Sequence, residues 1–164
     1  MEPSTGKIQI LAMDVDGTLT NGKIYMGQDG ELFKVFDVKD GYAIHDLLPK
    51  YNILPVIITG RISRIVENRA KELGITNIHQ GIRDKSGLLE KIVREKNLSM
   101  SNIAFIGDDL NDFDCMKNCG IKGCPVDAAP EIKAIADFVS SKSGGDGAVR
   151  EFIEFLINHN KQDK

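Results

Sequence analysis

The apolar run at residues 8–13, Ile-Gln-Ile-Leu-Ala-Met, stops abruptly at Asp14-Val15-Asp16-Gly17-Thr18. Six residues are too few for a buried helix, so the run reads as a strand that carries two carboxylates to the rim of a sheet. The arrangement recurs along the chain. Leu54–Ile58 leads into Thr59-Gly60-Arg61, Asn77–His79 precedes Asp84-Lys85, and Ile103–Ile106 leads into Gly107-Asp108-Asp109-Leu110-Asn111-Asp112. A weaker run follows at Ile121–Cys124. Between these runs, residues 42–50, 63–73, 85–96, 111–118 and 148–158 carry apolar residues at helical spacing. Leu88, Leu89, Ile92 and Val93, for example, form one stripe. Strands alternating with helices predict an α/β fold: a doubly wound, Rossmann-like parallel sheet covered on both faces.

One segment breaks the alternation. Residues 23–36 read as a β-hairpin turning at Gly27-Gln28-Asp29-Gly30, inserted after the first strand. No other insertion is long enough for a cap domain, so an open cleft is expected unless another subunit covers it. Residues 1–164 are expected to form a single domain, with a C-terminal tail and helix over about 143–164.

Composition narrows the partners. A net charge of −3 with no basic block speaks against a nucleic-acid or anionic-membrane surface. The N-terminus lacks the pattern of a signal peptide, and no apolar run approaches the roughly 20 residues of a membrane span. Cys115, Cys119 and Cys124 match neither a zinc module nor a redox pair and suit a reducing compartment. A cytoplasmic location is expected.

In a parallel α/β sheet, ligands bind beyond the carboxyl ends of the strands, where all four polar motifs fall. The chemistry this set suits is phosphoryl transfer, which needs a nucleophile, a cation, and donors for the equatorial oxygens. Asp14 reads as the nucleophile, forming an aspartyl-phosphate. Asp16 reads as the acid that protonates the leaving alcohol and then the base that activates water. Asp108, with Asp14 and the backbone carbonyl of Asp16, would complete an all-oxygen Mg²⁺ site. Asp109 and Asp112 would stand behind it, positioning the cation's waters and a lysine. Thr59 offers a hydroxyl and nearby backbone N–H groups to phosphate oxygens, and Lys85 keeps the clustered acids ionised. Singly, these residues have plainer readings: a turn hydroxyl, a solvated helix start, an acidic helix N-terminus. A calcium loop is excluded, because its glycine and glutamate positions hold Leu19 and Tyr25.

With these residues in this order, the chain resembles the haloacid dehalogenase-like phosphatases. Within them it is similar to a capless branch, the 3-deoxy-D-manno-octulosonate 8-phosphate phosphatases and their nine-carbon relatives. The segments at residues 16–22, 38–42 and 144–151 extend the resemblance over nearly the whole chain. It implies a Mg²⁺-dependent aspartyl-phosphate mechanism serving lipopolysaccharide biosynthesis. It also implies a homotetramer whose hairpins form a central barrel, with neighbouring subunits roofing the sites. The glycine-rich Gly144-Gly145 and Arg150 resemble a substrate-contacting segment at a neighbour's site, although locally they read as a loop before the last helix.

In the eight-carbon enzymes the second motif reads as Thr59, Gly60 and Arg61 do here. A guanidinium at Arg61 can pair with a 2-keto acid's carboxylate. Its plainer role is a helix-start cation bound to Glu67 or a neighbour. Thr18, Asn21 and Asp146 depart from the commonest eight-carbon pattern. The competing expectations are a nine-carbon sialic-acid or KDN 9-phosphate phosphatase and a non-catalytic assembly module of a sugar-nucleotide synthetase. A receiver domain has its phosphate-accepting Asp after the third strand, where this chain has Gln80-Gly81.

Overall fold

Leu11 and Met13 point into one core and Ile10 and Ala12 into another, and all four are buried. Their strand, β1 (Ile10–Met13), must therefore lie inside a sheet covered on both faces. The computed structural model describes residues 6–162; residues 1–5 and 163–164, the ends of the expected domain and most of its N-terminal segment, lie outside the described residues. β1 pairs in parallel with β4 (Leu54–Ile58) and β6 (Ile103–Ile106). The sheet is completed by β5 (Asn77–His79), β7 (Ile121–Cys124) and β8 (Phe138–Val139), in the order β5-β4-β1-β6-β7-β8. Every pairing in it is parallel. The strand order reverses at β1, so the crevice for a ligand opens above its carboxyl end.

The helices divide between the faces. One face carries α1 (Val38–Tyr42), continued through a π-helical turn at Ala43–Leu47 into α2 (Leu48–Lys50), with α3 (Arg64–Glu72) and α7 (Ala148–Gln162). The other carries α4 (Lys85–Glu95), α5 (Leu110–Met116) and α6 (Pro130–Ile135). The hairpin, β2 (Tyr25–Gly27) and β3 (Gly30–Phe33), stands apart as a two-stranded sheet. There is no cap domain among the described residues.

The elements differ from the sequence expectation in extent rather than in kind. β1 starts two residues later than residue 8, because the Ile8 N–H donates to the Asn160 side chain, not to a strand. The first helical segment starts earlier, at Val38, where Asp37 accepts the Lys39 and Asp40 N–H groups. The hairpin strands are shorter than residues 23–36 allow, since a ribbon without a third strand frays at its open end. α6 and β8 were not anticipated. They have six and two residues, too short for periodicity to register, although Pro130 at the helix start is a usable signal.

The C-terminal segment locks onto the opening loop. The Gly145 N–H donates to the Thr18 carbonyl, and a Cβ at Gly144 would drive into the Gly17 carbonyl. Asp40 ties the same region to α7: its carboxylate accepts the Arg150 N–H at 2.9 Å, while Oδ2 is buried without a partner. Burial, eased by the Arg150 N–H and reinforced by nearby Asp37, pushes Asp40 up to about 6. A carboxyl raised in the folded state holds its proton more tightly than in the unfolded chain. Its stabilisation is therefore complete below about 4 and disappears as pH rises through 6. In denaturant titrations, wild type should lose about 1–2 kcal/mol more between pH 4.5 and 7 than Asp40→Asn does. Equal losses would contradict this account of Asp40.

Candidate active site

The turn after β1 is set by one acceptor: the Thr18, Leu19 and Thr20 N–H groups all donate to the Val15 carbonyl. Gly17 sits in this turn with φ of 90°, and a Cβ there would collide with the Asp108 carboxylate. The close approach brings the first and fourth motifs together. Thr18, fully buried, donates its hydroxyl to Asp108 Oδ1 at 2.9 Å. α5 begins with a capping box in which Asp109 and Asp112 each accept the other's backbone N–H. Asp112 also accepts the Asp108 N–H at 3.0 Å.

Lys85, in the first turn of α4, is buried and reaches across to both acidic loops. Its Nζ donates to Asp14 Oδ1 at 3.0 Å and to Asp112 Oδ1 at 2.7 Å. Burial alone would weaken its charge, but the two carboxylates outweigh it and hold the ammonium above its ordinary value. One ammonium does not balance three acids. Burial, then the charge of Asp112, pushes Asp14 up to about 6 against the pull of Lys85. Burial, then the charge of Asp14, pushes Asp108 up to about 8 despite the Thr18 hydrogen bond. Asp14, Asp108 and Asp112 each bring an oxygen within 4.8 Å of the others. Such a crowded set of hard oxygen donors fits a divalent cation such as Mg²⁺.

Above this cluster lies an open cleft of about 500 Å³. Asp14, Asp16, Thr59, Gly60, Arg61, Asp108 and Asp109 all line it, so seven of the residues singled out in the sequence converge there. Lys85 and Asp112 do not line it but bond to each other, and Lys85 to Asp14, which does. Thr59 is buried at the end of β4, with its own N–H committed to the His79 carbonyl, so its hydroxyl is what remains for a ligand. Arg61 is half exposed, with Nε 3.9 Å from Asp16 Oδ2; Glu67 instead accepts from Gln80. Gly144, Gly145 and Arg150 do not line this cleft. The two glycines pack behind the opening loop, and Arg150 pairs with Glu154 and lies over the Tyr42 ring.

Sequence reasoning missed the contacts that order the rim. Gly22 and Asn111 line the cleft, and Thr18 orients Asp108. Lys34 and Glu31 of the hairpin and Ser63 before α3 form a polar chain to Asp16. The available signal was one lysine interrupting the apolar Leu32-Phe33-Lys34-Val35-Phe36 run.

A buried carboxylate beside a buried lysine, a second acid two residues on, and a crowded acidic pocket above a parallel sheet are the makings of a phosphoryl-transfer hydrolase site. The profile of the haloacid dehalogenase-like hydrolases matches residues 77–153, which include Lys85 and the fourth acidic loop. Over 154 residues the chain is 43% identical to the 3-deoxy-D-manno-octulosonate 8-phosphate phosphatase KdsC of Escherichia coli, covering 92% of this chain and 79% of that protein. The crystal structure of the Yersinia pestis phosphatase of that name superposes with a TM-score of 0.90 at 37% identity, covering 96% of this chain and 85% of that one. The Moraxella catarrhalis enzyme, solved with magnesium, phosphate and KDO, gives 0.89 at 36% identity, with 97% and 92% covered. The chain belongs to the haloacid dehalogenase-like hydrolases, in the 3-deoxy-D-manno-octulosonate 8-phosphate phosphatase family.

Replacing Lys85 by Met would leave Asp14 and Asp112 buried without their cation. Loss of one partner of a buried pair costs about 3–5 kcal/mol. The loss should be largest near pH 8 and smaller at pH 5.5, where Asp14, already raised by burial, takes up a proton. Unfolding midpoints at the two pH values measure it; a pH-independent loss would contradict the charge balance described for this cluster.

Proposed function

We propose that this chain is a Mg²⁺-dependent phosphatase that releases phosphate from 3-deoxy-D-manno-octulosonate 8-phosphate through an aspartyl-phosphate on Asp14. The observation that carries the reading is the Asp14–Lys85–Asp112 cluster beneath a cleft lined by Asp16, Thr59 and Arg61. Asp14 attacks phosphorus while Asp16 gives its proton to the leaving sugar oxygen. Asp16 then takes a proton from the water that attacks the aspartyl-phosphate, and inorganic phosphate departs. Thr59 and Lys85 donate to the phosphoryl oxygens as their charge builds. Asp14, Asp108 and the Asp16 carbonyl would hold Mg²⁺, with Asp109 and Asp112 behind them. When bound, the cation neutralises the phosphate and lets the nucleophile approach it.

Arg61, half exposed at the rim, is suited to pair with the carboxylate of a 2-keto sugar acid. Its presence favours the eight-carbon acid over a nine-carbon phosphate. Retention of Asp14, Asp16, Lys85 and Asp108 in one cluster argues against a non-catalytic assembly module. The product is the sugar acid of the lipopolysaccharide core. No helix among the described residues is long and apolar enough to cross a membrane, and the three cysteines are free and buried, in keeping with a cytoplasmic location.

A single domain over residues 1–164 and a homotetramer complete the proposal. Met26, Leu32, Phe33 and Val35 leave apolar side chains of the hairpin exposed, a surface that a partner hairpin would cover. Gly144, Gly145 and Arg150, which are not among the residues lining their own subunit's cleft, would act at a neighbour's.

A phosphate-release screen over eight- and nine-carbon sugar-acid phosphates tests the substrate, and the eight-carbon compound should give the highest kcat/KM. Asp14→Asn should reduce turnover by at least about 10⁴-fold with the fold intact. Activity near wild type would reject the nucleophile. For assembly, Leu32→Lys should shift the sedimenting species from tetramer to smaller forms, whereas an unchanged tetramer would exclude the hairpin as its interface.

A further inference from the structure

The hairpin buries a charged side chain against the domain while several of its apolar ones stay exposed. Lys34 has only 2% of its side chain exposed, whereas Leu32 and Val35 beside it are more than half exposed. Burying an ammonium in preference to neighbouring aliphatic groups is unfavourable unless it is fully paired. The pairing is explicit: Nζ lies 2.5 Å from Asp16 Oδ1 and 2.8 Å from Glu31 Oε1. Glu31 in turn accepts the Ser63 hydroxyl at 2.5 Å, which ties the hairpin to the loop after Thr59-Gly60-Arg61. Lys34 does not line the cleft and reaches Asp16 from the hairpin side.

We infer that Lys34 is a positioning residue for the reaction: it grips Oδ1 of Asp16 and leaves Oδ2 as the oxygen that exchanges protons with substrate and water. The inference rests on the acid–base reading of Asp16 given above. Proton transfer needs a heavy-atom separation of roughly 2.6–3.2 Å, which a freely rotating carboxylate meets only part of the time. Holding one oxygen removes that rotation. Arg61 Nε, at 3.9 Å from Oδ2, is too distant to occupy the second oxygen. In the first half-reaction the proton on Oδ2 passes to the bridging oxygen as its bond to phosphorus breaks. In the second, Oδ2 receives a proton from water as the water oxygen bonds to phosphorus and the bond from phosphorus to the Asp14 oxygen breaks, which restores the acid and frees Asp14. Lys34 keeps its own protons throughout, and Glu31 and Ser63 keep it in place.

The leaving group separates this role from a merely structural one. A sugar alkoxide needs a proton to depart, whereas 4-nitrophenolate leaves without one. The parameter kcat/KM reports only the half-reaction through P–O cleavage, so it isolates the acid step. Lys34→Met should lower kcat/KM on the sugar-acid phosphate by about 10–100-fold, a share of the 10²–10⁴-fold typical of general acid catalysis. On 4-nitrophenyl phosphate the fall should stay within about threefold, with a burst of nitrophenolate ahead of a slowed steady state, because the base step is impaired for both substrates. Lys34→Arg should recover most of the sugar-phosphate rate. Glu31→Gln, which retains Lys34 but loosens its second anchor, should show the same discrimination at a few-fold, and it serves if Lys34→Met does not fold. Equal losses on both substrates, or no loss on either, would overturn the inference. Asp16→Asn, run in parallel, keeps the two readings apart. If it fails to discriminate between leaving groups, the acid–base assignment itself is wrong. If it discriminates and the Lys34 and Glu31 variants do not, only the role of Lys34 falls.

Discussion

The structure is organised around one unfavourable act, the burial of several carboxylates within a few ångströms of each other. Among the described residues, Lys85 is the only ammonium placed against Asp14 and Asp112, at 3.0 and 2.7 Å. It reduces the repulsion without cancelling it, which is why burial and mutual charge leave Asp14 and Asp108 raised. A residual negative charge that the fold does not neutralise is what draws a divalent cation and, through it, an anionic substrate. The capping box of α5 contributes a second hold, because Asp112 accepts backbone N–H groups and the lysine together.

The sheet makes this crowding possible. Loops from β1, β4 and β6 leave the same edge of three adjacent parallel strands, so their side chains converge without any long connection. The contact between Gly17 and Asp108 fixes how near the first and last loops come. Behind the opening loop, the Gly144–Gly145 backbone and the Asp40–Arg150 hydrogen bond brace the turn against α7. The C-terminal segment is thus part of the support of the site in its own subunit.

The hairpin reverses the usual partition of side chains. Met26, Leu32, Phe33 and Val35 are exposed, while the Lys34 side chain and, in part, Glu31 are buried. Both follow from position: Lys34 lies against Asp16 at the rim of the cleft, and the exposed apolar side chains have no covering element among the described residues. The same insertion therefore joins the proposed assembly to the acid at the mouth of the cleft.

Much of this was legible in the residues. The strands after which Asp14, Thr59 and Asp108 fall are apolar runs bounded by polar turns, and such runs can only be buried strands. The residues that end them therefore had to meet at one rim. Order along the chain was also enough to separate this site from a calcium loop or a receiver domain. What the tertiary structure alone decided are contacts between segments distant in sequence. Lys34 reaching Asp16, Thr18 reaching Asp108, and Gly144 packing on Gly17 leave no periodicity to read. α6 and β8 were hidden because six and two residues are too few for a pattern to form. Local sequence sets which groups arrive at the rim, since backbone period depends on neighbours in the chain. Packing sets what each of them touches, since those distances exist only once the sheet has closed.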